Sequence, residues 1–219
     1  MLNELDKELE SRGHRFVRYA DDCMIFCKSR KSAERTMRNI VAYIEKKLYL
    51  RINHEKTNVS HISKTKFLGY GFYRYKGKCR LRVHPKSVAK MKNKIRELTK
   101  RSNGWGNEYR VKRLVQFIRG WVNYFKLADM KTLLLSIDEW LRRKIRVVYW
   151  KQWKKVKTRF KMLQHYGVAK DKAWEFANTR KGYWRTAISP ILTTSLNNKT
   201  IASLGFITMT DYYLKVCEN

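Results

Sequence analysis

Arg18-Tyr19-Ala20-Asp21-Asp22 is the most informative stretch of this chain, because two adjacent carboxylates stand there between two apolar, β-prone runs. The flanking runs, 14–19 and 23–27, predict two antiparallel strands with the Asp pair as their turn. The two carboxylates repel each other, and a divalent cation would offset that repulsion while activating a phosphoryl-transfer centre. A solvated turn is the other interpretation, since Asp is common in turns. The spacing alone leaves both open.

The charge of the chain favours a polyanionic partner. The 219 residues include 50 Lys and Arg against 18 Asp and Glu, a formal net charge of +32, which is far more than solubility requires. Aromatic residues stand among the basic ones, as in 149–155 and 180–185. This mixture is typical of nucleic-acid binding, where cations neutralise phosphates and rings stack on unpaired bases.

Other classes of protein fit the sequence less well. No stretch approaches the ~20 consecutive apolar residues that a membrane-spanning helix needs, and the first residues do not form a signal peptide. The four cysteines are scattered and include no CxxC pair. They predict reduced thiols of a cytosolic protein and disfavour a zinc site or a disulfide framework.

The first part of the chain mixes strands and a helix. After the hairpin, apolar residues at helical spacing predict an amphipathic helix over 32–48 that packs across the back of a sheet. Short strands are predicted at 50–53 and 58–62, followed by a β-ribbon over 67–75 that turns at 76–78 into 79–83.

From Pro85 onward the pattern is helical. Helices are predicted over 87–100, 108–128 and 132–162, as a three-helix bundle with basic exposed sides. The third is long for a globular protein, so a bend or domain junction is expected between 146 and 153. A further helix is predicted near 171–178, and 203–206 predicts a turn entering a final helix or strand.

Three motifs resemble, in order, the later palm motifs of bacterial group II intron reverse transcriptases: Tyr19-Ala20-Asp21-Asp22, Asn53-His54-Glu55-Lys56-Thr57 and Phe67-Leu68-Gly69-Tyr70. The rest resembles the thumb and maturase domain of that family, including 182–185 and 197–214. The resemblance implies an α+β fold. Its parts would be a partial palm of antiparallel hairpins plus a helix (1–84), a helical thumb bundle (85–148) and a mostly helical maturase domain X (149–219).

The resemblance also implies an activity, a cofactor and partners. The activity would be RNA-directed DNA polymerase, a nucleotidyltransferase of a mobile element, combined with intron RNA binding and RNA splicing. The cofactor would be Mg²⁺, and the partners structured intron RNA, an RNA template and a DNA primer. The place of action would be the bacterial cytoplasm, with no membrane involved.

Residue roles follow from the resemblance. Asp21 and Asp22 would be the catalytic, magnesium-binding carboxylates, and Tyr19 and Ala20 would lie beneath the primer end and incoming nucleotide. Lys56 would lie near the nucleotide phosphates, or is simply a solvated turn lysine. The primer grip would be formed by Phe67, Leu68, Gly69 and Tyr70, which could also be an ordinary strand bulge. The best RNA contacts in the maturase-like part would be Lys170, Arg180, Lys181, Tyr183, Trp184 and Arg185. These residues indicate RNA binding only when they are taken together as a cluster.

The chain also departs from the family pattern. Fingers, a palm strand with a further metal-binding Asp, and a Gly-rich segment would be expected before the hairpin, and none of them is recognisable here. The chain is therefore expected to be the C-terminal part of such a protein, catalytically incomplete without an N-terminal polymerase half. The alternative is a non-catalytic RNA-binding maturase or split-protein fragment that assists splicing without DNA synthesis. A purely architectural basic protein is disfavoured, because it gives no reason for the acidic pair.

Overall fold

The computed structural model of the chain describes residues 2–218. The N-terminal hairpin consists of strands β1 (Arg15–Tyr19) and β2 (Asp22–Phe26), whose side chains alternate between its two faces. Tyr19 pairs with Asp22, so the loop consists of Ala20 and Asp21 alone. The prediction that both Asp residues form the turn was wrong for Asp22. Ala20 adopts a φ of 50°, in the left-handed region. This conformation forms a two-residue turn at 20–21, one position before the predicted turn at 21–22.

Two helices support the hairpin from behind. They are α1 (Leu2–Ser11) and α2 (Arg30–Lys46), and the Ser29 side chain caps α2 by accepting a hydrogen bond from the Ser32 amide at 3.2 Å. Leu5 and Leu9 of α1 are buried with Ile40 of α2 and form a core. Half-buried residues of β1 and β2 pack against this core. The predicted amphipathic helix on the back of the sheet is confirmed.

The segment between α2 and the second sheet is not β-structure. The strands predicted at 50–53 and 58–62 were wrong, because the chain there forms a turn, extended coil and a short 3-10 helix, Ile62–Lys64. Asn53 organises the turn: its backbone carbonyl accepts hydrogen bonds from the amides of Lys56 (3.1 Å) and Thr57 (3.0 Å), and its side chain accepts from Lys56 as well. Such local bonds compete with strand pairing.

The second sheet has the order β3 (Lys66–Phe67), β4 (Tyr70–Tyr75), β5 (Lys78–Val83). Two-residue loops connect the strands. Both residues of each loop, Leu68-Gly69 and Lys76-Gly77, have positive φ, the conformation that matches the twist of antiparallel strands. The predicted ribbon is confirmed.

The chain divides into two compact units, one ending at Leu81 and the other beginning at Arg82. The second unit starts with α3 (Pro85–Leu98), α4 (Asn107–Phe125) and α5 (Lys131–Gln152). These bounds confirm the first two predicted helices and the start of the third. The third was predicted to reach 162, but α5 ends at Gln152, inside the range where a bend was expected, and a separate helix follows. The core of the second unit is formed by buried residues of α3, α4 and α5, including Ile95, Leu98, Leu114, Ile118, Val122, Leu134, Ile137, Leu141 and Ile145.

Six shorter helices complete the described part of the second unit: α6 (Val156–His165), α7 (Lys170–Ala177), α8 (Tyr183–Thr186), α9 (Pro190–Ser195), α10 (Asn198–Ser203) and α11 (Met209–Cys217). Helix α6 packs on α7, α8 on α5, and α11 on both α4 and α5. None of the described helices combines the length and the apolar composition needed to cross a membrane. The α+β class is confirmed, with two small antiparallel sheets and a helical majority.

Candidate functional site

The carboxylate turn is held by an arginine that the sequence did not single out. Arg18 Nε donates to Asp6 Oδ1 at 2.6 Å, its Nη2 pairs with Asp6 Oδ2, and its Nη1 donates to the carbonyl of Ala20 at 3.1 Å. This bidentate hydrogen bond lowers the pKa of Asp6 below its usual value and is the strong, geometrically specific kind of ion pair. One guanidinium thus ties α1 to the turn that carries Asp21.

The hairpin has two chemically different faces. Phe16, Arg18 and Ile25 face the supporting helices. Cross-strand pairing places Asp22 on the opposite face with Tyr19 and, further along, Val17 and Phe26. Tyr19 is 64% exposed, Val17 47% and Phe26 38%. The carboxylates therefore stand at the edge of an exposed apolar and aromatic surface, which is typical of a surface that a ligand covers.

The turn supplies oxygen ligands of the kind that Mg²⁺ prefers. Asp21 and Asp22 are both exposed, and Mg²⁺ is usually bound through one or two carboxylates together with waters and substrate phosphates. The described residues contain no group of three or more His, Cys, Asp or Glu side chains that could hold a metal ion. The Asp pair alone is therefore short of a complete protein site, and Mg²⁺ bound here would take its remaining ligands from water and substrate phosphates.

The other predicted palm residues lie on two further turns of the first unit. Lys56 is exposed in the turn that Asn53 organises, and within the described residues no hydrogen bond or ion pair links it to Asp21 or Asp22. The predicted primer grip forms the β3–β4 hairpin, with Leu68 and Gly69 at its tip. The structure thus places the grip on a tight turn, and the roles of these residues stay predictions.

The predicted RNA contacts lie in α7, in α8 and in the loop between them. Lys170, Arg180, Lys181 and Arg185 are exposed. Tyr183 is half-buried beneath Arg101, whose guanidinium carbon lies 4.5 Å from the ring centroid. Trp184, 42% exposed, has the Arg143 guanidinium at 3.8 Å from its centroid. The structure therefore adds cations from other elements to the predicted set.

These contacts belong to a larger group that we call the cation–ring cluster. Its rings are Trp140, Tyr183 and Trp184, and its cations are Arg96, Arg101, Arg143, Lys144 and Lys151. Arg143 also donates to the carbonyl of Trp184 through Nε (3.2 Å) and Nη2 (3.0 Å), which fixes α8 on α5. All eight residues lie in the second unit, so their arrangement does not depend on the first.

A buried arginine lies beside the loop between α3 and α4. Arg110 is 2% exposed; its Nη2 donates to Asn103 Oδ1 (3.0 Å) and to the Trp105 carbonyl (3.3 Å), while its Nε and Nη1 have no partner among the described residues. Burial lowers the pKa of Arg110. Burial also raises the pKa of nearby Tyr149 to about 12, so this phenol is neutral near pH 7 and does not neutralise the arginine.

Sequence reasoning missed Arg18 and the five cations of the cluster. Alternation along β1 places Arg18 on the same face as Phe16, which could have indicated an inward, paired arginine. Trp140 and Lys144 stand four residues apart on one helix, a spacing that brings side chains together. Arg101 and Tyr183 are 82 positions apart in the sequence, and only the fold brings them together.

Comparisons with known proteins agree with these observations. Residues 1–72 match the family model described as reverse transcriptase (RNA-dependent DNA polymerase). Residues 88–167 match the model described as group II intron, maturase-specific domain. That second range begins inside the segment predicted as thumb and ends inside the segment predicted as maturase domain, so the boundary at 148 stays a prediction. Among curated proteins no significant match was found.

The two matches follow each other along one chain and together cover more than two thirds of its residues. The first contains the carboxylate turn, and the second contains six of the eight residues of the cation–ring cluster together with Arg110. The chain therefore belongs to the family of group II intron-encoded reverse transcriptases and maturases.

Proposed function

We propose that this chain takes part in RNA-templated DNA synthesis through Asp21 and Asp22, and that its second unit binds structured intron RNA. The observation that carries the proposal is the carboxylate turn itself. Two exposed carboxylates stand at the tip of a hairpin that Arg18 fixes to α1, beside an exposed apolar face. A solvated turn would require neither the clamp nor that face.

Each residue of the hairpin has a distinct task in this proposal. Asp21 from the turn and Asp22 from β2 would hold Mg²⁺, whose chemistry there is Lewis-acid activation of a primer hydroxyl and neutralisation of the triphosphate. Tyr19 and Ala20 would support the primer end and the incoming nucleotide. Arg18 would keep the turn from moving when substrate binds, because it holds the Ala20 carbonyl from behind.

Lys56 and the β3–β4 hairpin complete the proposed substrate surface. Lys56 is exposed and would neutralise charge on the nucleotide phosphates. The Leu68-Gly69 turn would offer backbone to the primer, because its glycine carries no side chain and adopts a φ of 83°. These assignments follow from the family resemblance, from the exposure of Lys56 and from the tight turn at Leu68-Gly69.

RNA binding without DNA synthesis is the second candidate function. It is favoured by the cation–ring cluster, which is assembled entirely from residues 96–184 and does not involve the carboxylate turn. In that case Asp21→Asn would be tolerated, and the hairpin would serve as a scaffold.

Primer extension on an RNA template with Mg²⁺ tests the proposal. Four samples are compared: the chain alone, the chain mixed with a family-type N-terminal polymerase half, and the mixture with Asp21→Asn or with Asp211→Asn. Asp211 is exposed and lies on α11, so it is the matched control. Synthesis that Asp21→Asn abolishes and Asp211→Asn preserves would support the catalytic role, whereas equal synthesis in both variants would refute it.

Filter binding to a structured intron RNA over a salt series tests the RNA-binding part. Affinity should fall linearly on logarithmic axes as salt rises, because phosphate contacts release counterions. Affinity that does not depend on salt would contradict a phosphate-binding surface. Tight, salt-dependent binding with no synthesis in any sample would favour the second candidate function.

A further inference from the structure

The rings of the cation–ring cluster are already engaged by the protein's own cations. The Arg143 guanidinium lies 3.8 Å from the centroid of Trp184, and Arg101 lies 4.5 Å from that of Tyr183. Lysines approach the same two rings at 5.4 and 5.6 Å. At 3.8 to 4.5 Å a guanidinium takes the place that a stacked base would occupy on that ring face. A cation of the protein therefore already lies over each of these two rings.

The cations of the cluster lack carboxylate partners. Within residues 2–218, none of the five forms an ion pair with Asp or Glu, and Arg96 instead donates to Asn93 Oδ1 at 2.5 Å. Burial, and then the charges of Arg96 and Arg101, lower the pKa of Lys144. These like charges repel one another in the free protein, and a polyanion bound across them would relieve that repulsion.

We propose that the cation–ring cluster binds the sugar-phosphate backbone of folded RNA, and that Tyr183 and Trp184 position its cations instead of stacking on bases. This inference rests on the proposed function, since it specifies how the second unit holds intron RNA. It assigns the binding role to the five cluster cations, in addition to the four cations expected from the sequence, and it gives Tyr183 and Trp184 a positioning role in place of the expected contact.

The arrangement of the cations suits an extended run of phosphates. Arg143 and Lys151 are eight residues apart on α5, or ~12 Å at 1.5 Å per residue, while Arg96 and Arg101 come from α3 and the loop that follows it. Guanidinium groups match phosphate oxygens in two-point hydrogen bonds. Contact with backbone phosphates makes affinity depend on the course of the RNA chain and very little on base identity.

A pair of charge variants tests the site in the full chain. Arg101→Gln with Lys144→Gln removes two cluster cations, and Lys112→Gln with Arg119→Gln removes two exposed cations of α4 as a matched control. Both are titrated with a folded RNA hairpin from about 50 to 200 mM salt. We expect the cluster variant to bind the RNA on the order of tenfold more weakly. The slope of log affinity against log salt concentration should also be smaller in magnitude by about 1.4 to 1.8, because each of the two lost phosphate contacts contributes about 0.7 to 0.9. The control should change neither quantity as much.

A ring variant distinguishes cation positioning from base stacking. Trp184→Leu removes the platform of Arg143, so it should weaken binding to a hairpin and to a single strand of equal length by the same factor. Stacking would instead produce a selective loss on the single strand, by about 5-fold to 150-fold per base. That selective loss would overturn the proposal.

Three further results separate this inference from the proposed function. If the unmodified chain binds no intron RNA, the RNA-binding part of the proposed function fails, and the inference with it. If the chain binds RNA but the cluster and control variants weaken it equally, only the inference is overturned, because binding is then spread over the whole basic surface. If polyglutamate competes as strongly as RNA at equal charge, the cluster is a general acidic-partner site, and the RNA assignment is overturned.

Discussion

Replacing Asp138 by Ala should loosen α11 more than any other single carboxylate change in the second unit. Asp138 is 3% exposed. Its Oδ1 accepts a hydrogen bond from the Met209 amide at 2.8 Å, and its Oδ2 accepts from the Thr210 amide (2.9 Å) and hydroxyl (2.6 Å). The two amides open α11, where helical N–H groups have no partner within the helix. One buried carboxylate of α5 thus caps another helix.

The magnitude follows from the groups that would lose their acceptor. A buried amide without an acceptor costs about 1 to 3 kcal/mol, so two of them predict a loss of about 2 to 4 kcal/mol in the local stability of α11 after partial relaxation. At 1.4 kcal/mol per factor of ten, this corresponds to about 30-fold to 1,000-fold faster exchange of α11 amides. The helix can open locally without global unfolding, so exchange is the sensitive measurement.

Hydrogen exchange followed by mass spectrometry on peptides covering 206–218 measures this effect. Asp211→Ala is the matched control, because Asp211 is an exposed carboxylate in the first turn of α11 and its loss should cost at most about 1 kcal/mol. Equal acceleration in the two variants would refute the reasoning, because burial of Asp138 would then contribute nothing beyond a surface charge.

Three further predictions concern the backbone and the buried charges. Gly205 has a φ of 90°, and an added Cβ would lie 3.1 Å from Val111 Cγ1, so Gly205→Ala should lower the free energy of unfolding by at least about 1 to 2 kcal/mol in urea titration; an unchanged midpoint would contradict the strain. Arg18 lowers the pKa of Asp6. The contribution of that ion pair to the stability of the first unit is therefore fully present above the pKa that Asp6 has in the unfolded chain, and it is lost as pH falls through the lower pKa of the folded state. Asp6→Asn should therefore reduce the acid-induced loss of stability of the first unit, and an unaltered acid profile would contradict this. Arg110→Met removes two buried nitrogen atoms, Nε and Nη1, that have no partner among the described residues, so it should leave stability within about 1 kcal/mol of the original or raise it; a loss of about 3 kcal/mol or more would show that the hydrogen bonds of Nη2 to Asn103 and Trp105 outweigh the cost of burying the charge.

Local signals predicted the regular elements well. The alternation around Asp21 and Asp22 predicted the hairpin, and the 3.6-residue period predicted α2, α3, α4 and the start of α5. Pro85 marked the change to a helical pattern, although α3 was predicted to begin two residues later than it does. The strand predicted at 50–53 failed because Asn53 bonds its own neighbours, an effect that β-propensity does not include. The turn was misplaced by one residue because the left-handed conformation of Ala20 is uncommon for a residue with a Cβ.

The candidate sites likewise contain residues that the sequence could identify and residues that only the fold brings together. Asp21 and Asp22 could be selected from sequence because their chemistry lies in adjacent positions. The cation–ring cluster could not, since Arg101 reaches Tyr183 only after α8 has packed on α5. Arg18 needed the structure as well, because its partner Asp6 lies on another element.

Titration with Mn²⁺, followed by backbone amide signals of the isotope-labelled chain, is the most direct test of whether the turn binds metal. Mn²⁺ takes the place of Mg²⁺ at oxygen ligands and broadens the signals of nearby amides. We expect selective broadening at residues 20–23, which the double variant Asp21→Asn with Asp22→Asn removes. Broadening that is no stronger at the turn than around Asp211, or that survives the double substitution, would show that the Asp pair is a solvated turn.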